Sequence, residues 1–330
     1  MGSRANLQVV TGWTVDKLLF EGCRVVGVRA WVDGAAREAR ARLETVLAAG
    51  SIGSPTILQR SGIGPAARLQ ALGITVRENR PAVGAHLQDH LQLRAVFEVQ
   101  GARTLNTLVR SPWRKALMGL EYALKRSGPM AMAPSQLGIF ARSDAAQVRA
   151  NVQFHVQPLS LARFGGELDP YPAITMSVCN LRPTSRGGVM IRSAEAHEAP
   201  VIRPDYLSTG EDRRVAIDSL RLARRIVAQG PLQRYLPREV RPGPERLSDA
   251  ELLQGAGEVG TSIFHPVGSC RMGADADSVV DAQLRVRGVA GLRIADASVM
   301  PNITSGNTNT PTAMIALQGA KLIAAARQRA

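Results

Sequence analysis

Ala48-Ala49-Gly50-Ser51-Ile52-Gly53-Ser54-Pro55 ends the apolar run Leu43 to Ala48 in a glycine-rich loop and then offers a Ser-Pro pair. An apolar run, a glycine-eased turn and a serine cap before a first-turn proline together predict a strand, a tight turn and a short helix. Upstream, Leu7 to Val10, Thr14 to Phe20 and Val25 to Trp31 are apolar or β-branched runs parted by Gly12, Gly22 and Asp33-Gly34, and they read as strands. Downstream, a second short helix is expected to begin at Pro65 and end before Gly73.

From about residue 90 to 260 the pattern changes. Leu91 to Val99 alternates apolar and polar, Val152 to Val156, Ala173 to Val178 and Gly188 to Arg192 read as strands, and Trp113 to Lys125 has helical periodicity. Glu211 to Ala228 predicts an amphipathic helix with Val215, Leu220, Leu222, Ile226 and Val227 on its apolar face. Ser248-Asp249-Ala250-Glu251 is a capping box that opens another helix. The last stretch returns to the opening style, with a short strand from Val289 to Ala295, a polar loop through Asn309 and a final helix from near Pro311. Two ends of one style around a different middle suggest a domain completed by both termini.

The chain has 330 residues and 45% hydrophobic content, enough for one large domain or two ordinary ones. Its formal charge of +14 raises nucleic acid as a partner. Against that, only Lys17, Lys115, Lys125 and Lys321 are lysines, and the arginines are scattered rather than massed in a stripe with aromatics, so no nucleic-acid role is expected. No apolar run reaches bilayer length, and no basic start precedes a hydrophobic segment, which makes the cytoplasm the default location. Cys23, Cys179 and Cys270 lack metal-ligand spacing and read as buried free thiols, with neither disulfides nor a metal site expected.

Four segments, in order, carry a resemblance. They are Ala49-Gly50-Ser51-Ile52-Gly53-Ser54-Pro55 with Ser61-Gly62-Ile63-Gly64-Pro65; Val83-Gly84-Ala85-His86-Leu87-Gln88-Asp89-His90; His265-Pro266-Val267-Gly268-Ser269-Cys270-Arg271-Met272-Gly273; and Ala295-Asp296-Ala297-Ser298-Val299-Met300-Pro301 leading into Ser305-Gly306-Asn307-Thr308-Asn309-Thr310-Pro311-Thr312. The chain resembles the glucose–methanol–choline (GMC) oxidoreductases, most closely the choline dehydrogenase-like branch. The resemblance implies an α/β (α+β) fold: an incomplete FAD-binding Rossmann-like domain from 1–90 and 261–330, and a substrate domain from 91–260 with a mostly antiparallel sheet flanked by helices. The family's G-x-G-x-x-G turn has no counterpart here. The expectation is a C-terminal portion lacking the segment that binds the ADP half of FAD, supplied by a longer or a separately encoded polypeptide. Residues 1–330 alone are then expected to bind FAD weakly or not at all.

The resemblance further implies an FAD-dependent oxidoreductase acting on the CH–OH group of a small-molecule alcohol, its electron acceptor unspecified. His265 stands at the family's proton acceptor, a task that suits an imidazole because its ordinary pKa lies near neutrality. It sits between Ile263-Phe264 and Pro266-Val267, which are expected to shield it from water. Asn307 matches the second active-site position, where an amide orients the substrate oxygen. Cofactor contacts are implied at Val15, Asp296, Ala297, Asn307, Thr308, Asn309 and Pro311, the last at a helix start whose dipole favours negative charge on reduced flavin. His86 replaces the family's usual Asn. Asp89 and His90 are expected to organise the boundary between domains. Two other readings stay open: an inactive or partner-dependent fragment of such an enzyme, and a relative with hydroxynitrile-lyase-like chemistry.

Overall fold

The computed structural model describes residues 4–133, 135–163 and 165–328. The outer limits of the expected first domain, at 1 and 330, lie outside the described residues. The chain divides into two compact units. The first comprises 1–89, 185–206 and 265–330, and the second 90–184 and 207–264. The stretch 185–206, placed with the substrate domain from sequence, therefore packs with the first unit.

In the first unit, Thr14–Glu21, Arg24–Val32 and Ala35–Arg40 form an antiparallel meander. Its third strand, Ala-Ala-Arg-Glu-Ala-Arg, is exposed throughout and carries no apolar alternation, which is why periodicity missed it. Leu7 to Val10 is exposed and forms no strand, since its apolar side chains find no sheet to join. Thr45–Leu47 pairs in parallel with Leu292–Ile294. That pairing joins the two chain ends over a core that includes Leu18, Ile57, Leu58, Val83, Val280 and Ile294. Each such side chain contributes about 1.5–3 kcal/mol through burial. Cys270 is buried and burial pushes its thiol pKa up; Cys179 is also buried, but Cys23 is exposed, contrary to expectation.

The helix predicted after Ser54-Pro55 runs instead over Gly50–Arg60. Ser54 is not its cap. Its hydroxyl accepts from the Ala49 N–H at 3.2 Å and donates to the Asp296 carboxylate at 2.6 Å. Pro55 lies inside the helix and cannot donate to the Ser51 carbonyl four residues back. The Ser269 hydroxyl donates to that carbonyl at 2.6 Å, so the acceptor orphaned by proline is satisfied from a distant segment.

Gln59, fully buried near the other end of this helix, anchors the 185–206 segment. Its side-chain amide donates to the Val189 carbonyl and accepts from the Ile191 N–H, both at 2.9 Å. Gly84 approaches the same strand with φ +85°, where a Cβ would stand 2.2 Å from the Val189 oxygen.

The second unit is built on a six-stranded antiparallel sheet in the order Arg238–Arg241, Leu91–Glu98, Ala173–Asn180, Val152–Gln157, Leu137–Ala141, with Gly260–Ser262 also paired to Leu91–Glu98. Strand alternation sends Leu93, Ala95, Phe97, Phe154, Met176 and Val178 to one face. Helices Gly210–Val227 and Asp249–Val259 cover that face with Val215, Leu220, Ala223 and Leu252. The predicted capping box forms as read, with Ser248 and Glu251 each bonding the other's backbone N–H. The opposite face carries Gln92, Arg94, Gln153, Thr175 and Ser177, polar residues that are nonetheless buried.

Gly84→Ala is expected to lower stability by at least ~2 kcal/mol in equilibrium denaturation, because it combines left-handed strain with a clash against backbone. A loss under half of that would mean that the 185–206 segment gives way freely.

Candidate active site

His265 and Asn307 meet in the first unit. Asn307 Nδ2 lies 3.4 Å from His265 Nε2. With the amide N–H donating, Nε2 carries the lone pair and the imidazole is the neutral, Nδ1-protonated form. Burial lowers the His265 pKa below the ordinary histidine value, and the nearby Asp89 carboxylate partly offsets that. The neutral form, the one able to accept a proton, therefore prevails at pH 7.

Backbone contacts hold the histidine. Its N–H donates to Asp89 Oδ1 at 2.9 Å, and the Tyr206 hydroxyl donates to the other oxygen of the same carboxylate. One residue on, the Pro266 carbonyl accepts from the Ser51 hydroxyl at 2.6 Å. Val267 and Gln88 exchange both backbone hydrogen bonds, at 2.8 and 3.0 Å. Gly268 adopts φ +87° with its α-carbon so near the His86 carbonyl that a Cβ would lie 2.5 Å from that oxygen. His86 itself has φ +60°, a conformation that Asn adopts more readily than His. Phe264, expected to shield the imidazole, instead has φ +63° and is 63% exposed. The left-handed turn leaves that residue largely exposed.

Asn307 stands in the polar loop before the last helix, Asn309–Arg327, which starts two residues earlier than expected. Thr308 is buried at the N-cap position but makes no side-chain cap, and the first turn contains no acidic residue. Among the described residues no side chain caps the N–H groups of Asn309 and Thr310, while Pro311 has none to offer. Thr312 turns its hydroxyl back to the Thr308 carbonyl at 2.7 Å.

Asp296 is 3% exposed and its carboxylate is fully engaged within the protein. It accepts from the Gly50 N–H at 2.9 Å, the Ser54 hydroxyl at 2.6 Å and the Ser298 N–H at 2.8 Å. Its side chain is thus scaffold, and the next residue, Ala297, is half-buried. Val15 stands apart from the His265 group. Its carbonyl accepts from Arg60 at the far end of the helix whose Ser51 touches Pro266, and nine residues of α-helix separate those ends by roughly 14 Å. Sequence reasoning quoted Asp89 within its motif but assigned it to the domain boundary. It missed Tyr206 altogether, because nothing local marks a tyrosine that bonds across 117 residues.

The family model described as GMC oxidoreductase matches residues 1–92 with its N-terminal part and 183–316 with its C-terminal part. The chain belongs to the GMC oxidoreductase family. Among curated relatives, the alcohol dehydrogenase [acceptor] of Pseudomonas putida is 36% identical over 323 residues, 97% of this chain and 58% of that protein. The oxygen-dependent choline dehydrogenase of Pectobacterium carotovorum is 39% identical over 314 residues, 95% of this chain and 56% of that protein. This GMC chain therefore spans a little over half the length of the curated relatives it matches. Among solved structures, pyridoxine 4-oxidase from Mesorbium loti superposes with TM-score 0.82 at 30% identity, over 96% of this chain and 58% of that one. Formate oxidase, at 22% identity and TM-score 0.90 over 96% and 60%, shares the fold. Among the described residues no helix is long and apolar enough to cross a membrane.

Asp89→Asn removes the charge that raises the His265 pKa while keeping an oxygen able to accept from the His265 N–H. The imidazole pKa, followed by its C–H resonances in an NMR titration, is expected to fall further. An upward shift would mean that Asp89 does not act on the ring through its charge.

Proposed function

We propose that the chain carries the proton-handling centre of an FAD-dependent oxidoreductase acting on the CH–OH group of a small alcohol, of choline dehydrogenase-like type. The observation that carries the reading is the 3.4 Å approach of Asn307 Nδ2 to His265 Nε2, two residues before a helix with an uncapped amino end. The residues present fit the cofactor. Uncapped N–H groups at Asn309 and Thr310, a helix dipole and no acid in the first turn suit the edge of a ring that gathers negative charge. The backbone of Ala297 and the loop 307–309 would complete that contact, with Val15 meeting a more distant part of an elongated ligand. When bound, FAD supplies the acceptor for the hydride leaving the alcohol carbon.

In this reading Nε2 of His265 accepts the hydroxyl proton. The Asn307 amide hydrogen-bonds the same oxygen and, having no basic site of its own, does not compete for the proton. Asp89 and Tyr206 act as positioning residues through the His265 backbone, and burial keeps the imidazole neutral before the proton arrives.

In a flavin-loaded polypeptide containing residues 1–330, adding a primary alcohol anaerobically is expected to bleach the oxidised flavin band. His265→Ala should slow that step by about 10²–10⁴-fold, and Asn307→Ala by about tenfold or more. A His265→Ala protein that bleaches at the wild-type rate would dismiss the proposed base. Flavin that no alcohol reduces would favour the inactive reading.

The pH dependence has a defined sign. Because the acting form is neutral and its pKa is lowered, kcat/KM should hold from neutrality down past about 6.5, the ordinary histidine value. It should fall only at lower pH. A limb that sets in above that value would contradict a desolvated histidine base.

A further inference from the structure

The polar face of the second unit's sheet contains a buried cation with no counter-charge bonded to it. Arg94 sits mid-strand in Leu91–Glu98 and is 9% exposed, and among the described residues no hydrogen bond or ion pair reaches its guanidinium. Taking a cation out of water costs several kcal/mol unless something pairs with it. Burial and the neighbouring Arg241 lower its pKa, and the nearby Asp169 carboxylate offsets only part of that. The cross-strand neighbour Ser177 offers no relief, because its own buried hydroxyl also has no partner.

Arg94 lines a cavity of about 230 Å³ whose walls also include Arg163, Arg241, Glu258 and Thr261. The charges of the other groups are largely spoken for. Arg241 is ion-paired with Asp169 and also donates to the Leu161 carbonyl, so Asp169 is bonded to Arg241 and acts on Arg94 only through its charge, from a distance. Glu258 lies in the wall but accepts from Arg246 at 2.7 Å and from Gln254 at 3.1 Å. Thr261 pairs in register with Gln92 and therefore points to the same sheet face as Arg94, adding a hydroxyl to the cavity. Arg163 stands exposed in the same wall and adds positive charge there.

We propose that this cavity is a binding site for a small carboxylate, held by the Arg94 guanidinium. A buried cation to which no acid is bonded calls for one negative charge, and the planar fork of arginine matches a carboxylate with two parallel hydrogen bonds. The volume falls below the 300–1,000 Å³ usual for drug-sized ligands, which limits the ligand to a short-chain acid. A phosphate dianion would bring a second charge and further acceptor oxygens for which the wall has no free buried cation. The proposal does not rest on the alcohol-oxidoreductase reading, since binding here needs neither flavin nor turnover.

The test is calorimetric titration of the 330-residue chain with sodium propionate at constant ionic strength, with phosphate and choline chloride in parallel arms. Saturable propionate binding is expected, with phosphate and choline weaker. Arg94→Met should weaken propionate at least about tenfold while preserving the circular dichroism spectrum. Arg94→Lys, which keeps the charge and loses the fork, should fall between. If Arg94→Met fails to fold, the Arg94→Lys comparison decides, and unchanged affinity there overturns the proposal. Wild-type affinity in Arg94→Met, preference for phosphate or choline, or no saturable propionate binding would each overturn it as well.

Discussion

The Asp296 carboxylate is the constraint on which the first unit depends. It is almost wholly out of water, and three donors from two segments separated by more than 240 residues converge on it. A carboxylate without partners at that depth would cost several kcal/mol. The Gly50 N–H, the Ser54 hydroxyl and the Ser298 N–H turn that cost into a requirement that the helix Gly50–Arg60 begin beside the turn after Leu292–Ile294. The parallel pairing of Thr45–Leu47 with Leu292–Ile294 sets the same two segments side by side. From the start of that helix the Ser51 hydroxyl reaches Pro266, and the Ser269 hydroxyl reaches the carbonyl that Pro55 leaves free. The loop bearing His265 is thereby held from both sides by bonds that its own sequence does not encode.

The electrostatics of His265 follow from that position. Burial favours the neutral imidazole, and a single carboxylate held next to the backbone opposes it without prevailing. Because Asp89 is itself occupied by the His265 N–H and the Tyr206 hydroxyl, its charge is fixed in place rather than free to swing onto the ring. A positioned, neutral, partly desolvated histidine beside an amide suits proton acceptance from a hydroxyl.

The second unit reverses the usual economy of a sheet. One face is covered by helices with aliphatic side chains, while the other buries Gln92, Arg94, Gln153, Thr175 and Ser177. Polar groups are expensive to bury and are ordinarily matched within the protein. The matching is good around Thr175, whose hydroxyl donates to the Leu159 carbonyl at 2.6 Å, and around Asn106, which bonds Ser160 on both backbone groups. At Arg94 it stops. A polar face that leaves a cation, the Ser177 hydroxyl and the Gln157 side-chain oxygen without partners among the described residues has the form of a ligand site rather than of a core.

Local sequence was enough for elements whose cause is local. The capping box at Ser248, the amphipathic helix Gly210–Val227 and the alternation of Leu91–Glu98 all formed much as their patterns predict, because propensity, capping and periodicity act over a few residues. Four motifs in order also identified the family, and with it the pairing of His265 with Asn307. Other features depended on groups remote in the chain. The helix that starts before Ser54, the 185–206 segment drawn into the first unit, the outward turn of Phe264 and the roles of Asp89 and Tyr206 are of this kind. Sequence alone determined which strands alternate and where arginines fall. Only the tertiary structure decided that Arg94 would be buried with no acid among the described residues bonded to it, because whether a charge is paired depends on what packs within a few ångströms of it, and spacing along the chain does not report that distance.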